Sequence, residues 1–339
     1  MSHRFQRQTT ARRKYATSHE RLSAMVRLDG GSFAMGSETF YPEEAPIRRV
    51  TVDPFWMDRT PVTNAAFAEF VAATGYVSLA ETVPDPKLYP GMMPGMAEAG
   101  STLFQRPGPA VDLARPESWW IYTPGACWSR PYGPDSSIEG LEEHPVVHIA
   151  YGDAAAYARW AGKSLPTEAE FEFAARGGLN DADYAWGDEL APAGRLMANY
   201  WQGRFPSENI CADGWERTSP VGAFPANPYG IYDLIGNVWE WTQDWWSVLG
   251  EAAPPSSPCC SPRNPRGGTL RESLDPLFPD IRIGRKVLKG GSHLCAENYC
   301  QRYRPAARHP EMIDTSTSHI GFRCVVRPNA KPARKRPTS

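Results

Sequence analysis

From Lys289 to Cys324 the chain reads KGGSHLCAENYCQRYRPAARHPEMIDTSTSHIGFRC, which sets Cys295 and Cys300 five positions apart behind a Gly-Gly-Ser approach. A thiol is the chain's softest metal ligand and its strongest nucleophile at neutral pH, so a close pair invites a chemical reading. Four intervening residues in a bent loop would let both sulfurs reach one ion. A Cys-x4-Cys pair is nevertheless more often two buried or disulfide-bonded cysteines, and the spacing alone leaves both open. Arg302, Arg304 and Arg308 follow in QRYRPAAR, either to offset nearby carboxylates or to brace loops. His144 and His148, in HPVVH, resemble a metal pair, but the intervening proline argues against one helical face, and we read them as structural.

Composition bounds what can hold these residues. A chain of 339 residues, 41% hydrophobic and 22% charged, is long enough for a real core. A formal net charge of -2 argues against a general nucleic-acid binder. The 12 Trp, 33 Pro and 29 Gly predict ordered loops pinned by large aromatics rather than long helices. No apolar run reaches the roughly 18 residues needed to cross a membrane, and the basic, polar N-terminus lacks a signal-peptide apolar core. We therefore expect a cytoplasmic monomer with mostly reduced cysteines. Seven cysteines is an odd count, and the adjacent Cys259 and Cys260 do not readily bridge to each other.

The elements that must position the pair are short. Residues 1–24 read as a flexible lead-in, 25–328 as a single domain and 329–339 as a disordered basic tail. Val26–Met35 and Arg48–Met57 are β-rich and broken by Gly-Gly or Pro, as short strands are. Thr63 opens a helix carrying Phe67, Phe70 and Val71 on one face and closed by Gly75. Residues 78–135 lack periodicity, though Trp119, Trp120, Tyr122 and Trp128 argue for order. Asp153 is placed to cap a helix ending at Gly162, and Thr167 with Glu170 to form a capping box stopped by Gly177-Gly178. Residues 180–245 are expected to alternate short strands with turns, 250–287 to be a long irregular insertion, and HIGFRCVVR to be a final strand.

These stretches together resemble the formylglycine-generating enzyme family, the sulfatase-modifying factors. The likeness rests on GGSFAMGS, RRVTVDPFWMDRTPVTNAAFAEFV, HPVVHIAYGDAAAYARWAGKSLPTEAEFEFAARGG, ANYWQGRFP, YGIYDLIGNVWEWTQDWW and the closing KGGSHLC…NYCQRYRPAAR…GFRC. GNVWEW and LPTEAEFE alone mark only a wider superfamily; the paired cysteines point to the formylglycine-generating branch. The resemblance implies an α+β fold of low regular secondary structure, related to the C-type-lectin-like arrangement. It implies oxidation of the cysteine in a Cys-x-Pro-x-Arg motif of a target polypeptide, usually a type I sulfatase, to Cα-formylglycine. The implied reagents are molecular oxygen, copper(I) and an external reductant.

Site residues follow from the same likeness. Cys295 and Cys300 would ligate Cu(I), a soft ion that tolerates two-coordinate geometry and so leaves room for a substrate thiolate. Ser292 matches an active-site serine, although after Gly290-Gly291 it also reads as a turn serine. Trp239, in GNVWEW, would wall an oxygen pocket. Trp119, Ser316 and His319 fall where the family grips an extended peptide, with His319 standing where some members have Asn. Two structural calcium sites are implied, one from Asn199, Tyr200, Asp213 and Trp215, the other from Asp233, Gly236, Val238 and Glu240. Hard cations favour such mixtures of carboxylate, amide and carbonyl oxygens.

The pattern departs from vertebrate secretory-pathway members, whose disulfide cysteines fall at Ala158, Ala174 and Pro305 here, leaving Cys324 without a mate. Rival readings are a non-catalytic peptide- or sulfatase-binding paralogue, which should lack the cysteine pair, a lectin-like calcium-dependent module, and an iron oxidase, which would need a histidine-rich ligand set.

Overall fold

The computed structural model describes residues 22–89, 92, 94–108, 111–179, 181–248 and 261–328. Most of the lead-in, the basic tail and the Cys259–Cys260 pair lie outside the described residues. Two N-terminal hairpin arms are nested. Strand β2 (Gly31–Met35) pairs antiparallel with β3 (Arg48–Val52), and β1 (Met25–Leu28) pairs with β4 (Phe55–Asp58). The other edge of β4 receives β11 (Val325–Val326), so the first and last strands flank one strand of a three-stranded sheet.

Three α-helices follow the local signals. Helix α1 (Asn64–Thr74) begins where the Thr63 side chain accepts from Ala66 N and ends at Gly75 in the left-handed conformation. Its Phe67 ring meets Phe70, Trp128, Tyr157 and Phe322 at centroid distances of 5.3–6.4 Å. Burying aromatics of this size contributes about 2–3 kcal/mol each, which locks α1 to α2 (Tyr151–Trp160) and to the C-terminal segment. Asp153 is not the cap of α2. The helix starts two residues earlier, and Asp153 reaches back from its third position to Ala150 N at 2.9 Å.

Helix α3 (Glu168–Arg176) carries the capping box read from sequence, with Thr167 and Glu170 bonding each other's backbone N–H. All nine of its residues are buried. Its acids survive burial because each meets a cation: Glu168 pairs with Arg308, Glu170 with Arg327, and Glu172 with both Lys289 and Arg176. Burial alone would raise the Glu172 carboxyl; Lys289 and Arg176 hold it down to about 2.

Elsewhere the sequence reading needs correction. The aperiodic stretch 78–135 contains a hairpin, β5 (Gly100–Phe104) with β6 (Trp120–Pro124). Among described residues, 180–245 hold a single strand, β7 (Trp239–Trp245), because Gly, Pro and Asn turns interrupt any ladder. Strands β8 (Arg285–Lys289), β9 (Arg308–Met312) and β10 (Ile320–Gly321) complete a four-stranded sheet of order β10-β7-β8-β9. The expected final strand is split. Ile320–Gly321 (β10) runs parallel to β7, then the chain crosses to place β11 beside β4. Arg323, in the gap, turns inward onto Glu240.

Candidate active site

The cysteine loop is built off the end of β8. Gly291, at φ +73, brings its Cα so close to the far side of the loop that a Cβ would lie 2.6 Å from Arg302 O. That contact closes residues 291–302 into a ring of chain. Within it Cys295 N bonds Ser292 O at 3.0 Å, and Cys300 N bonds Ala296 O at 2.8 Å. These two successive turns return Cys300 over Cys295, with their sulfurs 3.4 Å apart. A disulfide requires about 2.05 Å, so the thiols are unbridged.

Charge is divided unequally over the pair. Cys295 is buried, and burial pushes its thiol well above the usual range. Cys300 is half-buried; the hydrogen bond from the Cys295 thiol, opposed by burial and helped by the Arg302 guanidinium, brings it down to about 6. The pair is thus a thiol donating to a thiolate. Ser292 N–H also donates to the Cys295 sulfur at 3.4 Å, while the Ser292 hydroxyl accepts from Leu294 N. Two close sulfurs, one already ionised, with further N–H and guanidinium donors, fit a soft monovalent metal ion. Among the described residues no group of three or more His, Cys, Asp or Glu side chains is arranged to hold a metal.

The surrounding segments fix this loop from both sides. Arg302 lies 3.9 Å from the Cys300 sulfur, pairs with Glu43 at 2.5 Å and sits over the Tyr41 ring, while Gln301 N bonds Tyr41 Oη. Arg304 takes both oxygens of Glu44, and Arg308 takes both of Glu168. Of the three arginines, then, Arg302 alone touches the cysteines; the other two brace. On the opposite side Asn298 bonds the Phe205 backbone in both directions, Tyr299 stacks on the Phe205 ring at 4.5 Å, and Trp201 N bonds Cys295 O.

Trp239 opens β7, is buried, belongs to the same apolar cluster as Cys295, and lies against the His309 ring. Its N–H bonds His319 O, which connects the cysteine region to the loop before β10. On that loop Ser316 bonds Ser101, and the half-buried His319 ring lies tilted against Trp120 at 4.7 Å.

Trp119 does not offer a face to a peptide. Its side chain is 0% exposed, packed on Phe205 and Tyr299, with its indole N–H unpartnered among the described residues. Trp119 ends the turn before β6, and the neighbouring, half-buried Trp120, which opens the strand, lies toward His319 instead. Sequence reasoning named both tryptophans but could not tell which side of the strand each takes. It missed Tyr41, Glu43 and His309, which lie far from the cysteines in sequence or carry no motif.

The two oxygen-rich sets differ. In the first set the Gln202 amide nitrogen sits between Tyr200 O and the Asp213 carboxylate, where a cation would bind, and Trp215 N donates to Asp213, while the Asn199 amide turns to Arg217 O and Asn237. In the second set Arg323 already takes both oxygens of Glu240 and the carbonyl of Asp233, and the Asp233 carboxylate accepts from Gly222 N. Asp233 and Glu240 are both pushed up by burial, partly offset by hydrogen bonds and by Arg323.

A loop-rich α+β scaffold thus closes around an unbridged cysteine pair, a thiol-centred site. The comparisons name its family. The sulfatase-modifying factor enzyme 1-like domain profile matches residues 11–328. The chain is 55% identical over 307 residues to a formylglycine-generating enzyme of Mycobacterium tuberculosis, covering 91% of this chain and 99% of that protein. It is 44% identical over 308 residues to an inactive C-alpha-formylglycine-generating enzyme 2 of Bos taurus, covering 89% and 87%. The fold is shared with PvdO from Pseudomonas aeruginosa, at TM-score 0.58, 23% identity and 89% and 93% coverage. The chain belongs to the family of formylglycine-generating enzymes. Among the described residues no helix is long and apolar enough to cross a membrane.

Proposed function

We propose that the chain converts the cysteine of a Cys-x-Pro-x-Arg motif in sulfatase polypeptides to Cα-formylglycine, with copper(I) held by Cys295 and Cys300. The observation that carries this reading is the unbridged sulfur pair at 3.4 Å with one member ionised. Copper(I), when bound, supplies electron exchange with dioxygen and a seat for the substrate thiolate. In net balance the peptide –CH2SH and O2 give –CHO, H2S and water, with two electrons and two protons from an external reductant.

The chain's own residues do the rest. Cys300 enters as a thiolate, and Cys295 must lose its proton for both sulfurs to bind one cation. Ser292 N–H and the Arg302 guanidinium stabilise the resulting negative charge. Trp239 keeps water from one side of the sulfurs. The target lies extended across Trp120, His319 and Ser316, so that its thiol meets the cysteine pair. Calcium at Asn199, Tyr200, Asp213 and Trp215 would tie together segments that lack ladder hydrogen bonds. Asp233, Gly236, Val238 and Glu240 are the poorer calcium set, because Glu240 is committed to Arg323.

The non-catalytic alternative is separated by turnover. Copper-loaded protein, a Cys-x-Pro-x-Arg peptide, reductant and air should yield peptide aldehyde by mass spectrometry. Cys295→Ser and Cys300→Ser should each lose that product and tight Cu(I) binding. Unchanged peptide from verified copper-loaded wild type defeats the proposal.

A further inference from the structure

His148, read from sequence as structural, sits in an unusual place. It is fully buried and adopts φ +59, a left-handed conformation that costs a branched-free but Cβ-bearing residue about 1 kcal/mol or more. Its backbone N–H bonds Thr317 O at 2.8 Å, and its ring reaches the same loop through Ser101. His148 Nε2 lies 2.9 Å from Pro131 O, an oxygen that can only accept, so Nε2 carries the proton. Burial pushes the ring's pKa down to about 4, leaving Nδ1 as a bare acceptor at neutral pH.

The direction of the next bonds follows. Ser101 Oγ is 2.7 Å from His148 Nδ1 and 2.7 Å from Ser316 O, and both of these are acceptors. The single Ser101 hydroxyl proton is spent on one of them. The remaining contact, Ser101 Oγ to Ser316 Oγ at 2.9 Å, must take its proton from Ser316. A protonated His148 would give the same answer, because Nδ1–H would then donate to Ser101, whose own proton would go to Ser316 O. Ser316 is buried but not sealed off, at 8% exposed.

Resting on the peptide-groove reading above, we infer that His148 and Ser101 are positioning residues that fix the Ser316 hydroxyl as an obligate hydrogen-bond acceptor for an N–H group of the bound target. The donor is either a backbone amide of the motif or its arginine side chain. The relay discriminates against peptides that present a carbonyl at that point, since two acceptors would then face each other.

The test uses a labelled peptide in which the motif cysteine is serine, so that binding is read by fluorescence anisotropy without turnover. Analogues replace each backbone amide by an ester in turn, removing one N–H, or replace the arginine by norleucine. Wild type should bind one analogue about 3- to 10-fold more weakly than the parent, the range expected for one hydrogen bond. An ester identifies a backbone donor and norleucine a side-chain donor. Ser316→Ala should weaken the parent similarly and lose the discrimination. Ser101→Ala should shrink the discrimination and, with the cysteine peptide, raise KM while leaving kcat near wild type. If Ser101→Ala lowers Tm, the Ser316→Ala comparison decides. Wild type indifferent to every N–H, or Ser316→Ala discriminating as wild type does, overturns the inference alone. Wild type failing to bind the parent peptide overturns the groove reading with it.

Discussion

At the scale of single residues, the cysteine pair is polarised by its neighbours. A lone buried thiol would be protonated at neutral pH, yet Cys300 stands near 6 because Cys295 donates to it and Arg302 is close. Thiolate therefore prevails above about pH 6 and is lost below it. Alkylation of Cys300 in metal-free protein should follow that titration by mass spectrometry. Arg302→Met should move the midpoint upward by about one pH unit and weaken Cu(I) roughly tenfold in a chelator competition. An unmoved midpoint would show that Cys295 alone sets the charge. Asp213 gives a second residue-level expectation. Calcium should raise Tm by a few degrees, and Asp213→Ala should remove the larger part of that gain, measured by thermal unfolding with and without chelator.

At the scale of elements, what makes the site is a turn rather than a helix or strand. The two turns between Ser292 and Cys300 close only because Gly291 lets its chain meet Arg302 O. Gly291→Ala would put a Cβ 2.6 Å from that oxygen at φ +73. We expect it to separate the sulfurs and reduce Cu(I) affinity by at least tenfold while far-UV circular dichroism stays near wild type. Elements with local signals were readable: Thr63 and Gly75 bound α1, and Thr167 with Glu170 starts α3. Elements whose partners are distant were not. Strands β5 and β6 hold Pro, Gly and Trp within or beside them, and their pairing depends on the loop at Ser316–Ser318, which bonds Thr102 and Phe104. The acids of α3 look solvated in sequence, because nothing local announces that Arg308, Arg327 and Lys289 arrive from a hundred or more positions away. The cysteines were identifiable as a site; the side from which Trp119 or Trp120 would serve it was not.

At the scale of the whole molecule, buried neutral histidines set the acid limit of stability. Burial holds His148 and His293 near 4, against about 6.5 in an unfolded chain. Below pH 6.5 the unfolded chain binds protons that the folded one refuses, so stability falls as pH drops toward 4. Asp153 acts in the opposite sense: burial raises it to about 6, so the folded state gains protons there as pH falls. Glu311 acts as Asp153 does, raised by burial to about 7, whereas the half-buried His309 and His319 are lowered by burial and so side with His148 and His293. With four lowered histidines against these two raised carboxyls, we expect Tm to fall between pH 6.5 and 5. A flat Tm over that range would mean that one or more of these rings is solvated.

The nested sheet at the start of the chain has a consequence for synthesis. Strand β4 is exposed by the ribosome early, but its second neighbour, β11, is among the last described residues to emerge. Until then one edge of β4 lacks its partner. Tyr41 and Glu43, which brace Arg302 in the finished fold, are made long before the cysteine loop they serve. Cys295 and Cys300 are therefore made late, emerge as ordinary thiols, and become a poised pair when their loop closes onto Arg302 and β11 joins β4.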